Sequence, residues 1–453
     1  MSAAEAATDR SRPPAPGALR RFDFPAFQQT RLANGLRVFA ARMPRVPLVS
    51  LEILLPGGGL FDTFERPGLT SLHGGLLDEG TQRRSALEIA GMAESLGGSL
   101  NSGAGWNMAY VEAMLLSQHL EPGLELMTEV VRSPGFPESE IERLKLDRLA
   151  EILRRKGDPA ALASRVFDAA LYDKTAYGQP RIGTEESLES FDRPILEAFY
   201  QRHIGPEGSA IIAVGDLDPE ALIGLIESRF GDWPATEAIP LPEIDPAPLA
   251  STEVHLVDRP GSAQTQLQLG QVSVPRAHPD FPRMLLLNAI YGGKFTSRIN
   301  LNLREKHGYT YGAQSHFVQR LGPGPFIVRT AVGTEAAGSA VEQLIFEMRR
   351  IRDDLVREDE LRETQDYLIG VFPYTLQTIG DLVKRLEALA VFGLPLDYYR
   401  GYPAVLAEIS REEVQATARK HFDPDHLAIV AVGPAEELEP QLERFGPVHV
   451  HQP

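Results

Sequence analysis

The sequence predicts an α+β protein of two similar halves, each a mostly antiparallel sheet flanked by helices, and three observations predict it. First, the chain repeats itself. His203-Ile204-Gly205-Pro206 leads into Ala210-Ile211-Ile212-Ala213-Val214-Gly215, and 218 residues later His421-Phe422-Asp423-Pro424 leads into Ala428-Ile429-Val430-Ala431-Val432-Gly433. Each glycine precedes an acidic helical segment, 219–230 and 436–445, that ends in Arg229-Phe230-Gly231 or Arg444-Phe445-Gly446. Second, residues 234–252 carry prolines at 234, 240, 242, 246 and 248, a composition that stays extended and cannot continue a helix. Third, each half opens with strands, continues with helices and closes with a strand and a helix, which is the order of an α+β fold rather than of alternating βαβ units. The expected organisation is a polar lead-in over 1–20, a first domain over 21–233, a linker over 234–252 and a second domain over 253–453.

The elements follow in order. Asn34-Gly35 between apolar residues is a hairpin turn signal. Residues 36–41, 48–55 and 109–116 alternate or run apolar as strands do, while 68–77 and 86–96 have helical spacing. Ile141, Leu144, Leu149 and Ile152 form the apolar stripe of a further helix, on which Glu151 can pair with Arg155 at i+4. In the second half, 253–257, 265–272 and 326–332 read as strands and 282–291 as a helix. Gly57-Gly58-Gly59 and Gly322-Pro323-Gly324-Pro325 fit no nucleotide-binding pattern and read as loops.

Composition narrows the partners. The 453 residues are 43% hydrophobic and 24% charged, an ordinary globular balance with enough chain for substantial cores. The net charge of -17, from 62 acidic and 45 basic residues, argues against nucleic-acid backbones and anionic membrane surfaces, and favours a basic peptide as ligand. With no cysteine, disulfides, thiolate metal sites and thiol nucleophiles are excluded, and cytosol and periplasm both remain open. No apolar run approaches the length of a membrane span, and residues 1–20 lack the apolar core of a signal peptide, so a soluble chain is expected.

The most informative stretch is Gly68-Leu69-Thr70-Ser71-Leu72-His73-Gly74-Gly75-Leu76-Leu77-Asp78-Glu79-Gly80-Thr81. Its frame, together with Leu32-Ala33-Asn34-Gly35-Leu36-Arg37-Val38, Leu96-Gly97-Gly98-Ser99-Leu100-Asn101 and Ser133-Pro134-Gly135-Phe136-Pro137-Glu138, resembles the pitrilysin family of zinc peptidases, which includes insulin-degrading enzyme and the mitochondrial processing peptidases. The resemblance covers nearly the whole chain. In that family the same bracket encloses an inverted H-x-x-E-H helix. Here the two histidine positions fall on Ser71 and Gly75 and the glutamate position on Gly74.

Catalytic zinc needs three imidazole, carboxylate or thiolate ligands, and serine and glycine do not supply them. Glu151, 76 residues past Gly75, stands where the family places its third ligand. His73 lies roughly 200° around the helix from Ser71 and cannot replace it. A relocated site from His73, Asp78 and Glu79 is the one alternative metal centre that the residues offer. Gly74 and Gly75, each costing about 1 kcal/mol relative to alanine within a helix, suggest close backbone approach by something else, the alternative being drift after the site lost its use.

The second half keeps its share of the motif. Thr296-Ser297-Arg298-Ile299-Asn300-Leu301-Asn302-Leu303-Arg304-Glu305-Lys306-His307-Gly308-Tyr309-Thr310-Tyr311-Gly312 is similar to the family's S-R-L-x-x-x-L-R-E-x-x-G-L-x-Y. The resemblance implies that Arg304 and Tyr311 reach toward a zinc site held by another segment or subunit. A preformed donor aimed at the developing oxyanion of a peptide carbonyl stabilises the transition state without reorganisation. Arg298 is expected to brace its helix against the sheet, and Asn101 and Ser102 to begin an edge strand on which an extended peptide adds.

Together these imply a non-catalytic subunit with no metal of its own, partnered in a heterodimer by an H-x-x-E-H homologue that carries zinc and acts on peptides or unfolded polypeptide. The alternative is a peptidase-inactive structural or peptide-binding homologue, as among respiratory-complex core subunits.

Overall fold

A computed structural model describes Gly17 and residues 22–452; the lead-in predicted for 1–20 therefore lies, apart from Gly17, outside the described residues. The first sheet consists of β1 (Gln28–Arg31), β2 (Arg37–Arg42), β3 (Leu48–Leu55), β4 (Ser99–Ala104), β5 (Ala109–Leu116) and β6 (Ala210–Gly215), in the order β1-β2-β6-β3-β5-β4. The second consists of β7 (Glu253–Asp258), β8 (Thr265–Val272), β9 (Ala313–Phe317), β10 (Pro325–Val332), β11 (Ala428–Gly433) and β12 (Val448–His451), in the order β12-β7-β11-β8-β10-β9.

The sequence repeat falls at the centre of each sheet. β6 runs parallel to β2 and antiparallel to β3, and β11 runs parallel to β7 and antiparallel to β8. Both repeated strands are buried along their whole length, which is why they are written as unbroken apolar runs rather than alternating ones. At the opposite margin β4 and β9 occupy equivalent edges, each paired on one side only, with β5 or β10. The fold is thus α+β, with two similar halves and mixed sheets in which antiparallel pairs predominate.

Three predicted strands, β3, β5 and β8, have the bounds read from sequence, and no helix or strand interrupts 234–252. The helix expected over 282–291 is α-helical only over Phe281–Asn288 and continues as a π-helical turn over Ala289–Gly293. A second π-helical turn, Leu301–Lys306, carries Arg304.

Sequence gave no sign of how the halves join. The helix Pro159–Tyr172 of the first half packs on β8 and β11 of the second sheet, burying Leu162, Val166 and Phe167 against Val430 and Val432. Reciprocally, the helix Ile379–Phe392 of the second half lies on β3 and β6, with Leu382 and Leu386 against Phe39 and Ile212. Each sheet therefore has one face covered by a helix of the other half. Stripping either helix away would expose a row of buried aliphatic side chains, each worth about 1.5–3 kcal/mol.

Candidate functional site

The degenerate zinc helix is short, Leu69–Gly75, and its start is fixed by a buried carboxylate. Gly68 takes a left-handed conformation (φ 88°), and Asp62 accepts from the backbone N–H groups of Gly68 (2.8 Å) and Thr70 (2.9 Å). Burial raises the Asp62 carboxyl to about 7, against the opposing pull of those hydrogen bonds.

Ser71 is buried with its hydroxyl unpaired. A Cβ on Gly74 would lie 2.7 Å from the carbonyl carbon and oxygen of Gly103 and 2.9 Å from Ala104 Cβ, so the helix rests directly on β4. Gly75 faces the helix Glu138–Lys156, where a Cβ would meet Leu144 Cδ2 at 3.2 Å and Arg148 Nη2 at 3.5 Å.

Arginines occupy the space beside Gly75 and Glu151. Glu151 Oε2 accepts from Arg148 Nη1 (3.3 Å), and Oε1 accepts from Arg155 Nε (2.9 Å) and Nη2 (2.7 Å). Burial opposes ionisation of Glu151, but the two guanidiniums outweigh it and hold the carboxyl below its ordinary value. A cation would have to compete with arginines already on both oxygens, and Ser71 and Gly75 offer nothing to complete its shell. The residues present do not fit a zinc ion.

The relocated metal site does not assemble either. His73 is fully buried among Phe136, Phe199 and Tyr200, at ring-centroid distances of 5.4, 4.9 and 6.1 Å, with both nitrogens unpaired. Burial, with His203 nearby, drives its pKa down to about 3, so it is a neutral packing residue. Asp78 is bound to Ser102 and Glu79 to Arg143. Among the described residues, His278, Asp280 and His421 are the only three that bring metal-ligating atoms together. There Lys420 Nζ (2.7 Å) and Arg283 Nη1 (3.7 Å) already neutralise Asp280, and the Asp280 N–H occupies His278 Nδ1 (3.1 Å). That cluster is an ion-pair network.

Asn101 and Ser102 lie on the edge strand β4, as expected. Ser102 Oγ stands 2.7 Å from both the Gly74 carbonyl and Asp78 Oδ1, and so ties the strand to the end of the degenerate helix. Asn101 is exposed. Neither side chain is aimed at a ligand; what the edge offers is its unpaired backbone.

In the second half, Arg298 is buried and makes a bidentate pair with Glu360 (2.8 Å to each oxygen). Its bracing role holds, with one correction: it ties its segment to the helix Glu358–Val371 rather than to the sheet. Arg304 lies with Cζ 4.6 Å from the centroid of Phe295, and Nε is 3.5 Å from Glu305.

Tyr311 is 91% exposed, yet the backbone beneath it is held from three sides. Gly312 N donates to Thr310 Oγ1 (3.1 Å), Thr330 Oγ1 lies 3.0 Å from both Thr310 Oγ1 and the Gly312 carbonyl, and Ala313 N donates to Asn300 Oδ1 (3.1 Å). Phe295 and Tyr311 line one cavity of about 700 Å³, at the head of edge strand β9. Among the described residues, no hydrogen bond, ion pair or ring contact joins Ser71, Gly75 or Glu151 to Arg304 or Tyr311.

Three residues escaped sequence reasoning. Arg148 could have been suspected from its i,i+3 spacing to Glu151, but nothing in sequence placed Arg181 nearby or Phe295 beneath Arg304.

Comparison with known proteins fits this geometry. Residues 37–185 match the family described as Insulinase (Peptidase family M16), and residues 190–368 match the Peptidase M16 inactive domain. The chain belongs to peptidase family M16. It is 23% identical over 411 residues to the uncharacterised zinc protease YmxG of Bacillus subtilis, covering 89% of this chain and 98% of that one. It is 26% identical over 417 residues to an uncharacterised zinc protease of Mycobacterium tuberculosis, covering 90% and 93%. Among solved structures, a peptidase M16 inactive domain from Pseudomonas fluorescens superposes with TM-score 0.82 at 28% identity, over 90% of this chain and 98% of that one. A protease from Helicobacter pylori superposes at 0.83 with 17% identity, over 91% and 100%, which speaks for the fold alone. No helix among the described residues is long and apolar enough to cross a membrane.

Proposed function

We propose that this chain is the non-catalytic subunit of a heterodimeric zinc metallopeptidase, offering Arg304 and Tyr311 to the active site of an H-x-x-E-H partner. The observation that carries the reading is the state of Tyr311: an almost wholly exposed phenol on a backbone fixed by Thr310, Thr330 and Asn300. Exposed tyrosines on loose loops are common, whereas a braced one beside a cavity is preorganised for a group outside the chain. The partner would hold the zinc and the general base, since no residue set that fits zinc is found among the described residues.

Within that assembly the Tyr311 hydroxyl donates to the scissile carbonyl oxygen as negative charge develops there. The Arg304 guanidinium, supported on the ring of Phe295, holds a substrate carbonyl or carboxylate through its fork of donors. Extended peptide or unfolded polypeptide is the substrate class, because edge strands β4 and β9 can take an added strand by main-chain hydrogen bonds alone.

The test mixes this chain with an H-x-x-E-H homologue and measures peptide cleavage and zinc content for each alone and for the mixture. Zinc is expected to follow the partner, and activity to need both chains. Tyr311→Phe here should lower kcat of the mixture by about 10²-fold, the usual loss for one oxyanion donor. Unchanged rates in Tyr311→Phe and Arg304→Ala would sink the reading, and a mixture without activity would favour a peptide-binding protein instead.

A further inference from the structure

We infer that the arginines beside the vacated zinc site form a carboxylate-binding subsite, which receives the carboxylate of a peptide lying along β4. The inference rests on the peptide-binding reading above and adds the chemistry of one subsite. A cavity of about 770 Å³ opens between the end of the Glu138–Lys156 helix, the Pro159–Tyr172 helix and residues 178–186, and Trp106, Arg154, Arg155, Arg165 and Arg181 line it. Arg155 also holds Glu151, whose two oxygens are taken by Arg148 and Arg155, with Arg154 Nη2 3.9 Å from Oε1 and Arg181 within reach of their charges.

Arg181 has no carboxylate within ion-pair distance among the described residues. Its Nη1 donates to the carbonyl of Ala104 (2.6 Å), the last residue of β4. The guanidiniums of Arg148, Arg154, Arg155 and Arg181 thus outnumber the carboxyls near them, Glu151 and the Asp62 that interacts with Arg181, and the Nε of Arg148 is buried and unpaired. Such an excess calls for an anion.

The acids that line the cavity do not supply it. Glu185 is paired with Lys156 (2.9 Å), Asp158 caps its helix through Ala160 N (2.9 Å), Asp168 is turned to Arg320 (3.8 Å), and Glu186 is exposed to solvent. The local charge thus runs against the whole-chain balance of -17, from which a basic ligand was expected.

Position selects the carboxylate source. Arg181 is anchored to the end of the edge strand, so a strand added to β4 brings its own terminus or a side chain to the guanidinium. Ala160 lines both this cavity and the one beside Tyr311, so both border the start of the Pro159–Tyr172 helix.

The experiment is calorimetric titration of the intact chain, without partner, with one extended Val/Thr-rich peptide in three forms: free acid, C-terminal amide, and amide carrying a single Glu. The free acid is expected to bind about tenfold tighter than the plain amide, the equivalent of one charge-assisted hydrogen bond of about 1.4 kcal/mol, and to lose that advantage in high salt. Tight binding of the Glu-bearing amide as well assigns the site to side-chain carboxylates as a second source. Arg181→Gln should abolish the preference while leaving the amide's affinity unchanged, and Arg181→Lys should restore part of it. If Arg181→Gln fails to fold, the free-acid and amide comparison on the unaltered chain decides. Equal binding of all three forms, or preference for a Lys-bearing form, would overturn the subsite while leaving the Tyr311 reading intact. Absence of binding by every form would overturn the use of the β4 edge itself.

Discussion

Gly74→Ala and Gly75→Ala should have opposite effects, although the residues are adjacent and both replace glycine in the same helix. Alanine gains up to about 1 kcal/mol over glycine in a helix interior, so propensity alone predicts that both stabilise. At position 74 the new methyl would sit 2.7 Å from the backbone of Gly103 and 2.9 Å from Ala104 Cβ. Backbone in a paired strand cannot retreat as a side chain can, and Ser102 fastens β4 to this helix through the Gly74 carbonyl. Overpacking of this kind costs about 1–3 kcal/mol, which after the propensity gain leaves Gly74→Ala destabilising by up to about 2 kcal/mol. At position 75 the neighbours are the ends of Leu144 and Arg148, at 3.2 and 3.5 Å, and both can shift. Gly75→Ala is therefore neutral or stabilising by up to about 1 kcal/mol. Urea unfolding followed by circular dichroism measures both, and the shift in midpoint gives the sign even where unfolding is not two-state. A Gly74→Ala protein as stable as the parent would refute the close approach of helix and strand.

The same geometry predicts that Ser71→His, Gly74→Glu and Gly75→His combined will not restore a zinc enzyme: metal analysis should find no stoichiometric zinc, because residue 74 has no room and Arg148 and Arg155 hold Glu151. Glu52, buried on β3 opposite Glu112, should make the chain labile to base. Burial, with repulsion from Glu387 and Glu112, raises it from 4.5 to about 8, so its contribution to stability is complete below 4.5 and is lost as pH rises through 8. Glu52→Gln should match the parent near pH 5 and exceed it above pH 8 by at most roughly 5 kcal/mol in chemical unfolding, whereas a pH-independent difference would refute this. Thr330→Val keeps the volume but removes the hydroxyl that braces Thr310 and Gly312; it should cost about 1 kcal/mol and lower the mixture's kcat more than it changes KM, while an unaltered kcat would show that bracing of Tyr311 is irrelevant.

Legibility in the sequence followed the range of the interactions. β3, β5 and β8 were bounded correctly because period and turn residues are local signals, and the repeat at β6 and β11 announced itself because both strands are buried on both faces. The exchange of the Pro159–Tyr172 and Ile379–Phe392 helices was not legible, since an amphipathic stripe states that a face is buried but not which sheet buries it. The site divides in the same way. That positions 71 and 75 carry no imidazole or carboxylate is a matter of identity and could be read directly. What took their place was not: Arg148 is an ordinary surface-type residue in sequence, and only the packing of two helices brings its guanidinium to within a methyl's reach of Gly75.

The two remnants of the family motif have been left in different physical conditions, and that difference bears on what the chain does. In the first half Gly74 is closed against β4, Ser71 is buried, and Glu151 is bound on both oxygens by arginines of its own helix. In the second half the opposite holds, since exposing the rings of Tyr311 and Phe295 (91% and 67%) earns nothing in stability. The hydrogen bonds that fix the loop would be equally good with a small polar residue at 311. An exposed aromatic pair on a rigid support is the arrangement expected of a surface whose counterpart lies on another molecule.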